Sequence, residues 1–175
     1  HLNDITVLAP VHYAGELVGY VANIAHHVDV GGGAPASVGA FREVFQEGVI
    51  IPPVKLVHEG AISPDIFNLI LAQIRSKRET SGDFRAQVAA NLAGTRRLTE
   101  LLDRYGVPQI QRYMEALMDY TRRRTLAQVE ALPRGDFRAE AYVDNDGFTD
   151  KRVKLSVRVV ISDEGVLFDL AGSDP

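Results

Sequence analysis

The apolar residues change their period twice along this chain, and that change restricts its fold more than any other feature. Upstream of Ser63 they fall in short β-rich runs, between Ser63 and Pro133 they recur at helical spacing, and beyond Pro133 they alternate. A period near 3.6 buries one stripe of a helix and a period of two buries one face of a strand, so the segments cannot exchange roles. The expected fold class is α+β, with N-terminal strands, a central group of about three helices and a C-terminal antiparallel β meander. These parts correspond to residues 1–62, 63–133 and 134–175.

In the helical part, Ser63-Pro64-Asp65 predicts a start, with a capping serine and a proline at the first helical position. Ile66, Leu69, Ile70 and Ile74 share one face up to about Arg75. A second helix is expected from about Gly82-Asp83, where Phe84, Val88, Leu92, Leu98, Leu102 and Tyr105 keep the period until Gly106 stops it. Gly94 within it costs about 1 kcal/mol relative to alanine, which points to close packing or a bend. Pro108 opens a third helix and Pro133 ends it; its arginines, Arg122 to Arg124, are expected on a solvated or ion-paired face. Downstream, alternating runs from Phe137, Lys151 and Val166 predict the meander. Asp144, Asp146 and Asp150 lack the remaining pattern of a calcium loop, so they read as a hairpin turn.

Composition narrows the function. With 46% apolar residues and a formal charge of -4, the chain can bury a sizeable core and lacks the basic surface expected of a nucleic-acid or anionic-membrane partner. Neither partner is therefore expected. The chain contains no cysteine, which excludes disulfides, thiolate metal sites and a cysteine nucleophile. A cytoplasmic location is the expectation. The abrupt start at His1 suggests a fragment of something longer.

The chemistry concentrates in the first thirty-three residues, which hold four of the five histidines, paired aspartates and a glycine run. His1 and Asp4 stand three apart, and His26, His27 and Asp29 follow after a strand-like segment. Imidazole and carboxylate suit a divalent cation such as zinc, manganese or iron, and a small protein ligand set leaves positions open for water or substrate. Ile5 to Leu8 and Glu16 to Ala25 read as strands joined by a turn at Tyr13-Ala14-Gly15, an antiparallel pairing that brings the two ligand groups together. Their register is not fixed by any local rule. Asn23 is a polar residue within the second strand that can face the site.

Gly31, Gly32 and Gly33 resemble a phosphate loop only superficially, since the lysine and hydroxyl residue of a P-loop and the Rossmann spacing are absent. They are expected to turn the chain sharply or let it pass close to the site. Residues 40–62 read as irregular, with Pro52 and Pro53 blocking a helix and Val54 to Val57 suited to a strand. Glu47 and His58 are each isolated and are expected to be exposed or structural.

Taken together, HxxD at His1 to Asp4, then GELVGYVANIAHHVDVGG, EGVIIPPVKL, GDFRAQVAANLAGTRRL and VLFDLAGSDP resemble the hydantoinase B family in both content and order. That family includes the metal-containing subunits of ATP-dependent hydantoinases and 5-oxoprolinases, and related subunits of ketone carboxylases. The resemblance implies that the chain is the central part of a longer subunit and that His1, Asp4 and His26 ligate a divalent metal. His27 and Asp29 match the motif and are the candidates for catalytic or supporting contact, and Asp83 and Gln87 are polar members of a further motif, with capping or packing the more expected role.

The resemblance also implies a hetero-oligomer. A hydantoinase A-type partner would bind ATP and phosphorylate the oxygen of a cyclic amide, and metal-activated water would then open the ring. A component of an ATP-dependent ketone carboxylase is one alternative. Another, from a different class, is a non-catalytic assembly domain that binds the A-type partner. The isolated fragment is not expected to turn over substrate alone.

Overall fold

The structure is a computed structural model that describes residues 2–175. His1 lies outside the described residues. The chain forms two compact units, His1–Val107 and Pro108–Pro175.

The first unit is built on an antiparallel hairpin of β1 (Asp4–Tyr13) and β2 (Glu16–His26). Its two-residue turn places Ala14 at φ 52° and Gly15 at φ 88°, the left-handed geometry that matches strand twist. β1 continues through Pro10 rather than ending there. Pro10 stands opposite Tyr20 on an edge strand, where a proline is tolerated. A bulge between Val11 and His12 adjusts the register before the turn. A second, minimal hairpin pairs β3 (Val57–His58) with β4 (Ala61–Ile62), and the extended run expected from Val54 is a strand only at its end.

Two helices complete this unit. Helix α1 (Pro64–Ala72) starts at the expected serine, although the Ser63 side chain makes no capping bond; its carbonyl accepts from the Phe67 amide instead. Helix α2 (Lys77–Tyr105) begins five residues earlier than its apolar period indicates. Phe67, Ile70, Ile74 and Phe84 form the buried cluster, with Ile5, Ile51, Leu56 and Ile62 packed around it. Phe67 meets Phe84 edge to face at 5.9 Å.

Helix α2 runs along the hairpin across both strands. It touches the hairpin at Gln87 on the Ile5 carbonyl and again at Asp103 on the Tyr13 hydroxyl, 2.9 Å away. The sixteen helical steps between them rise about 24 Å, and the eight strand steps from Ile5 to Tyr13 cover about 26 Å. The two elements therefore stay in contact over their length. Midway, a Cβ on Gly94 would lie 2.7 Å from Val21 Cγ1, so the glycine serves close packing.

The second unit contains α3 (Val107–Glu130, whose first residue belongs to the first unit) and a meander of β5 (Gly135–Val143), β6 (Val153–Ser162) and β7 (Gly165–Asp169). This is the expected three-stranded antiparallel order. Asp119 on α3 pairs with Arg122 and Arg123, so this stretch of the arginine run is an ion-paired surface. In the turn after β5, Asp146 accepts from the Phe148 and Thr149 amides. No helix among the described residues is long and apolar enough to cross a membrane.

Candidate metal centre

Strand alternation divides the motif residues into an outward and an inward set. Asp4 and His26 are register partners on the open face of the hairpin, away from α2, and Asp4 Oδ1 lies 3.0 Å from His26 Nδ1. Both side chains are roughly half exposed, at 43% and 53%. A carboxylate and an imidazole thus stand side by side within reach of a ligand from solvent. Among the described residues no group of three or more metal-ligating side chains assembles. The expected third ligand, His1, lies outside them.

The neighbouring residues point the other way. Asn3 and His27 are fully buried and hold one another: the His27 amide donates to the Asn3 carbonyl at 2.9 Å, and the Asn3 side chain donates through Nδ2 to the His27 carbonyl at 2.8 Å. Asn3 Oδ1 in turn accepts from Ser37 Oγ at 2.8 Å. The His27 ring lies 4.7 Å from Phe84 and its Nε2 is 2.9 Å from Gln87 Oε1. Its Nδ1 has no hydrogen-bond partner among the described residues.

Asp29 is 1% exposed and organises the loop behind the site. Its carboxylate accepts from the Arg75 amide at 2.7 Å, from the Gly31 amide at 3.2 Å and from Arg75 Nη1 at 3.0 Å. Burial alone would raise the Asp29 carboxyl, but the Arg75 and Gly31 amides and the Arg75 guanidinium outweigh it and hold the group below its ordinary value. The same carboxylate supplies the anionic partner at the start of α2 that Ser76 does not provide. Arg75 also donates to the Gly31 and Gly32 carbonyls. The glycine run allows tight passage: a Cβ on Gly31 would lie 2.5 Å from the Gln73 carbonyl oxygen.

Asn23 faces α2 and joins a buried polar network with Gln87 and Asn91. Asp83 sits a turn and a half inside α2, so it is not a cap. Asn3, Arg75 and Asn91 are not singled out by the sequence. For Asn91 a signal exists, because Phe84, Gln87, Asn91 and Gly94 share one helical face.

Comparison with known proteins decides the family, since the hydantoinase B/oxoprolinase profile matches residues 1–175. The chain belongs to the hydantoinase B/oxoprolinase family. It is 36% identical over 99% of its length to an uncharacterized protein of Methanocaldococcus jannaschii, covering 30% of that protein. It is 35% identical over 92% of its length to the beta chain of the caprolactamase of Pseudomonas jessenii, covering 28% of it. It is 30% identical to a putative D-/L-hydantoinase of a Pseudomonas strain, in its B-type component, over its full length and 31% of that protein. The chain therefore spans about three tenths of the relatives it matches. The crystal structure of the ATP-dependent caprolactamase from Pseudomonas jessenii matches 97% of the chain at a TM-score of 0.83 and 35% identity, over 30% of that chain. A nucleotide-free acetone carboxylase shares the fold, at a TM-score of 0.89 and 20% identity, over 99% of this chain and 25% of that one.

Proposed function

We propose that this hydantoinase B-type chain carries the metal site of an ATP-dependent enzyme that opens cyclic amides, and that Asp4 and His26, with His1, hold a divalent cation there. The observation that carries the reading is the outward pairing of Asp4 with His26 in a chain whose relatives include components of a caprolactamase and a hydantoinase, and 5-oxoprolinases. An adjacent carboxylate and imidazole, both open to solvent, suit zinc, manganese or iron. A cation of this kind supplies Lewis acidity, polarising an amide carbonyl and making water more acidic.

The chain's own residues then divide the work. Asp4 and His26 bind, and the buried Asn3 and His27 keep the two strand ends in register. Asp29 acts from behind through the loop and Arg75, positioning rather than touching substrate. The names of the relatives, which mark them as subunits, support a hetero-oligomer, in which we assign ATP to a hydantoinase A-type partner that phosphorylates the amide oxygen. The site itself then needs no nucleotide loop, in keeping with the packing role of Gly31 to Gly33.

The test is co-purification with the A-type partner and assay of hydantoin, 5-oxoproline and caprolactam with and without ATP. Ring opening that requires ATP and is lost in His26→Ala supports the proposal. Failure to open any of the three by a folded, metal-loaded complex contradicts it, and ATP-dependent carboxylation of acetone by that complex would assign the ketone carboxylase reaction instead.

A further inference from the structure

Three side-chain amides lie between α2 and the hairpin, and backbone carbonyls fix which way each one points. A carbonyl only accepts, so the 2.8 Å contact at the Ile5 carbonyl identifies the nitrogen of the Gln87 amide. The 2.9 Å contact at the Val7 carbonyl identifies the nitrogen of Asn91 in the same way. Asn91 Oδ1 is then left to accept from Asn23 Nδ2 at 2.8 Å, and that nitrogen also donates to the Gln87 carbonyl at 2.8 Å. Asn23 Oδ1 accepts from Gln87 Nε2 at 2.9 Å. Each amide nitrogen meets an acceptor, and reversing any amide would set oxygen against carbonyl oxygen.

His27 completes the chain. With the Gln87 nitrogen committed to Ile5 and Asn23, its Oε1 faces His27 Nε2 at 2.9 Å as a pure acceptor, so Nε2 must carry the ring proton. A proton on Nδ1 would be a buried donor without an acceptor among the described residues, which is unfavourable. Three backbone carbonyls thus determine a histidine tautomer, acting through side-chain amides.

We propose that Gln87 is a positioning residue for the Asp4–His26 pair: it locks the His27 ring as the Nε2–H tautomer, and so holds the chain end on which His26 faces Asp4. The connection is short. His27 is bonded at both its amide and its carbonyl to Asn3, and Asn3 and His27 are the chain neighbours of Asp4 and His26. A ring fixed at the tip and a backbone fixed at both polar groups leave the adjacent His26 little freedom. Metal-site partners of this indirect kind typically alter affinity by about 10-fold to 100-fold when removed.

The first test is spectroscopic and needs no metal. In metal-free protein labelled with ¹⁵N-histidine, long-range ¹H–¹⁵N correlations separate protonated from bare ring nitrogens, and His27→Gln identifies the signals. The expected pattern is Nε2 protonated and Nδ1 bare. Gln87→Met removes the acceptor and lets the tautomers interconvert. A wild-type His27 that is protonated on Nδ1 or averaged overturns the proposal, as does an unchanged pattern in Gln87→Met.

The second test rests on the proposed metal reading. Titration with Mn²⁺ should show affinity weakened by about 10-fold or more in Gln87→Met. Unchanged affinity in folded Gln87→Met overturns the positioning role. If the wild-type protein binds no manganese, zinc or iron, the metal reading fails separately, and the His26 ring signals then decide: they shift in Gln87→Met if Gln87 positions the pair and stay in place if it does not.

Discussion

Asp4 and His26 face each other across the open end of the β1–β2 hairpin, carboxylate oxygen to imidazole nitrogen at 3.0 Å, while their chain neighbours Asn3 and His27 are buried on the other side. A strand's alternation thus separates the proposed metal ligands from the buried residues beside them. The same logic makes the adjacent His26 and His27 unequal. His26 is available to solvent, and His27 is locked inside.

Asp29 should dominate the stability of the loop behind the site. Removing it leaves the Arg75 and Gly31 amides without their acceptor, so Asp29→Ala should cost about 2–3 kcal/mol in denaturant unfolding. Arg75→Ala should cost less, because the guanidinium is nearly half exposed and the amides still satisfy the carboxylate.

The acid limb of stability should carry the same signature. The Asp29 carboxyl is held below its ordinary value of 3.8, so its contribution is fully present above that value and is lost as pH falls through the folded-state value. Unfolding curves of wild type and Asp29→Asn should differ most above pH 4 and converge in stronger acid. A difference that stays constant across that range would show that ionised Asp29 adds no stability.

At Gly94 the close approach of α2 to β2 predicts a paired effect. Gly94→Ala brings a methyl group to 2.7 Å from Val21 Cγ1, so the gain of about 1 kcal/mol in helix propensity should be reversed into net destabilisation. In Val21→Ala the same substitution should become neutral or stabilising, and a double-mutant cycle measures the coupling.

The hairpin turn offers a stabilising change. Ala14 holds φ at 52°, a region that costs an ordinary L-residue about 1–2 kcal/mol, and the following Gly15 suits an Asn-Gly turn. Ala14→Asn should raise stability by about 0.5–1 kcal/mol in denaturant unfolding, without altering metal binding.

Local patterning reveals the elements, and tertiary partners decide what patterning leaves open. The first hairpin is legible because Ala14-Gly15 separates two β-rich runs, but its register depends on the Asn3–His27 bonding and on α2, which are distant in sequence. The apolar period puts the start of α2 too late because Lys77 to Ser81 carry little apolar signal, and the acceptor at the helix start is Asp29, contributed from far upstream. Asn23 can be noticed but not oriented: its partners Gln87 and Asn91 come from the other side of the packed layer. The separation of His26 from His27 follows from alternation once the register is known. The pairing of Asp29 with Arg75 leaves no such pattern, since a lone aspartate followed by glycines has many possible partners.

The most direct test of the account is the metal content of the untagged protein beside its His26→Ala variant, after incubation with zinc, manganese or iron and removal of free ion. The account predicts near-stoichiometric metal in the wild type, lost from the folded variant. Equal metal in both, or none in either, would contradict the assignment of Asp4 and His26 as ligands.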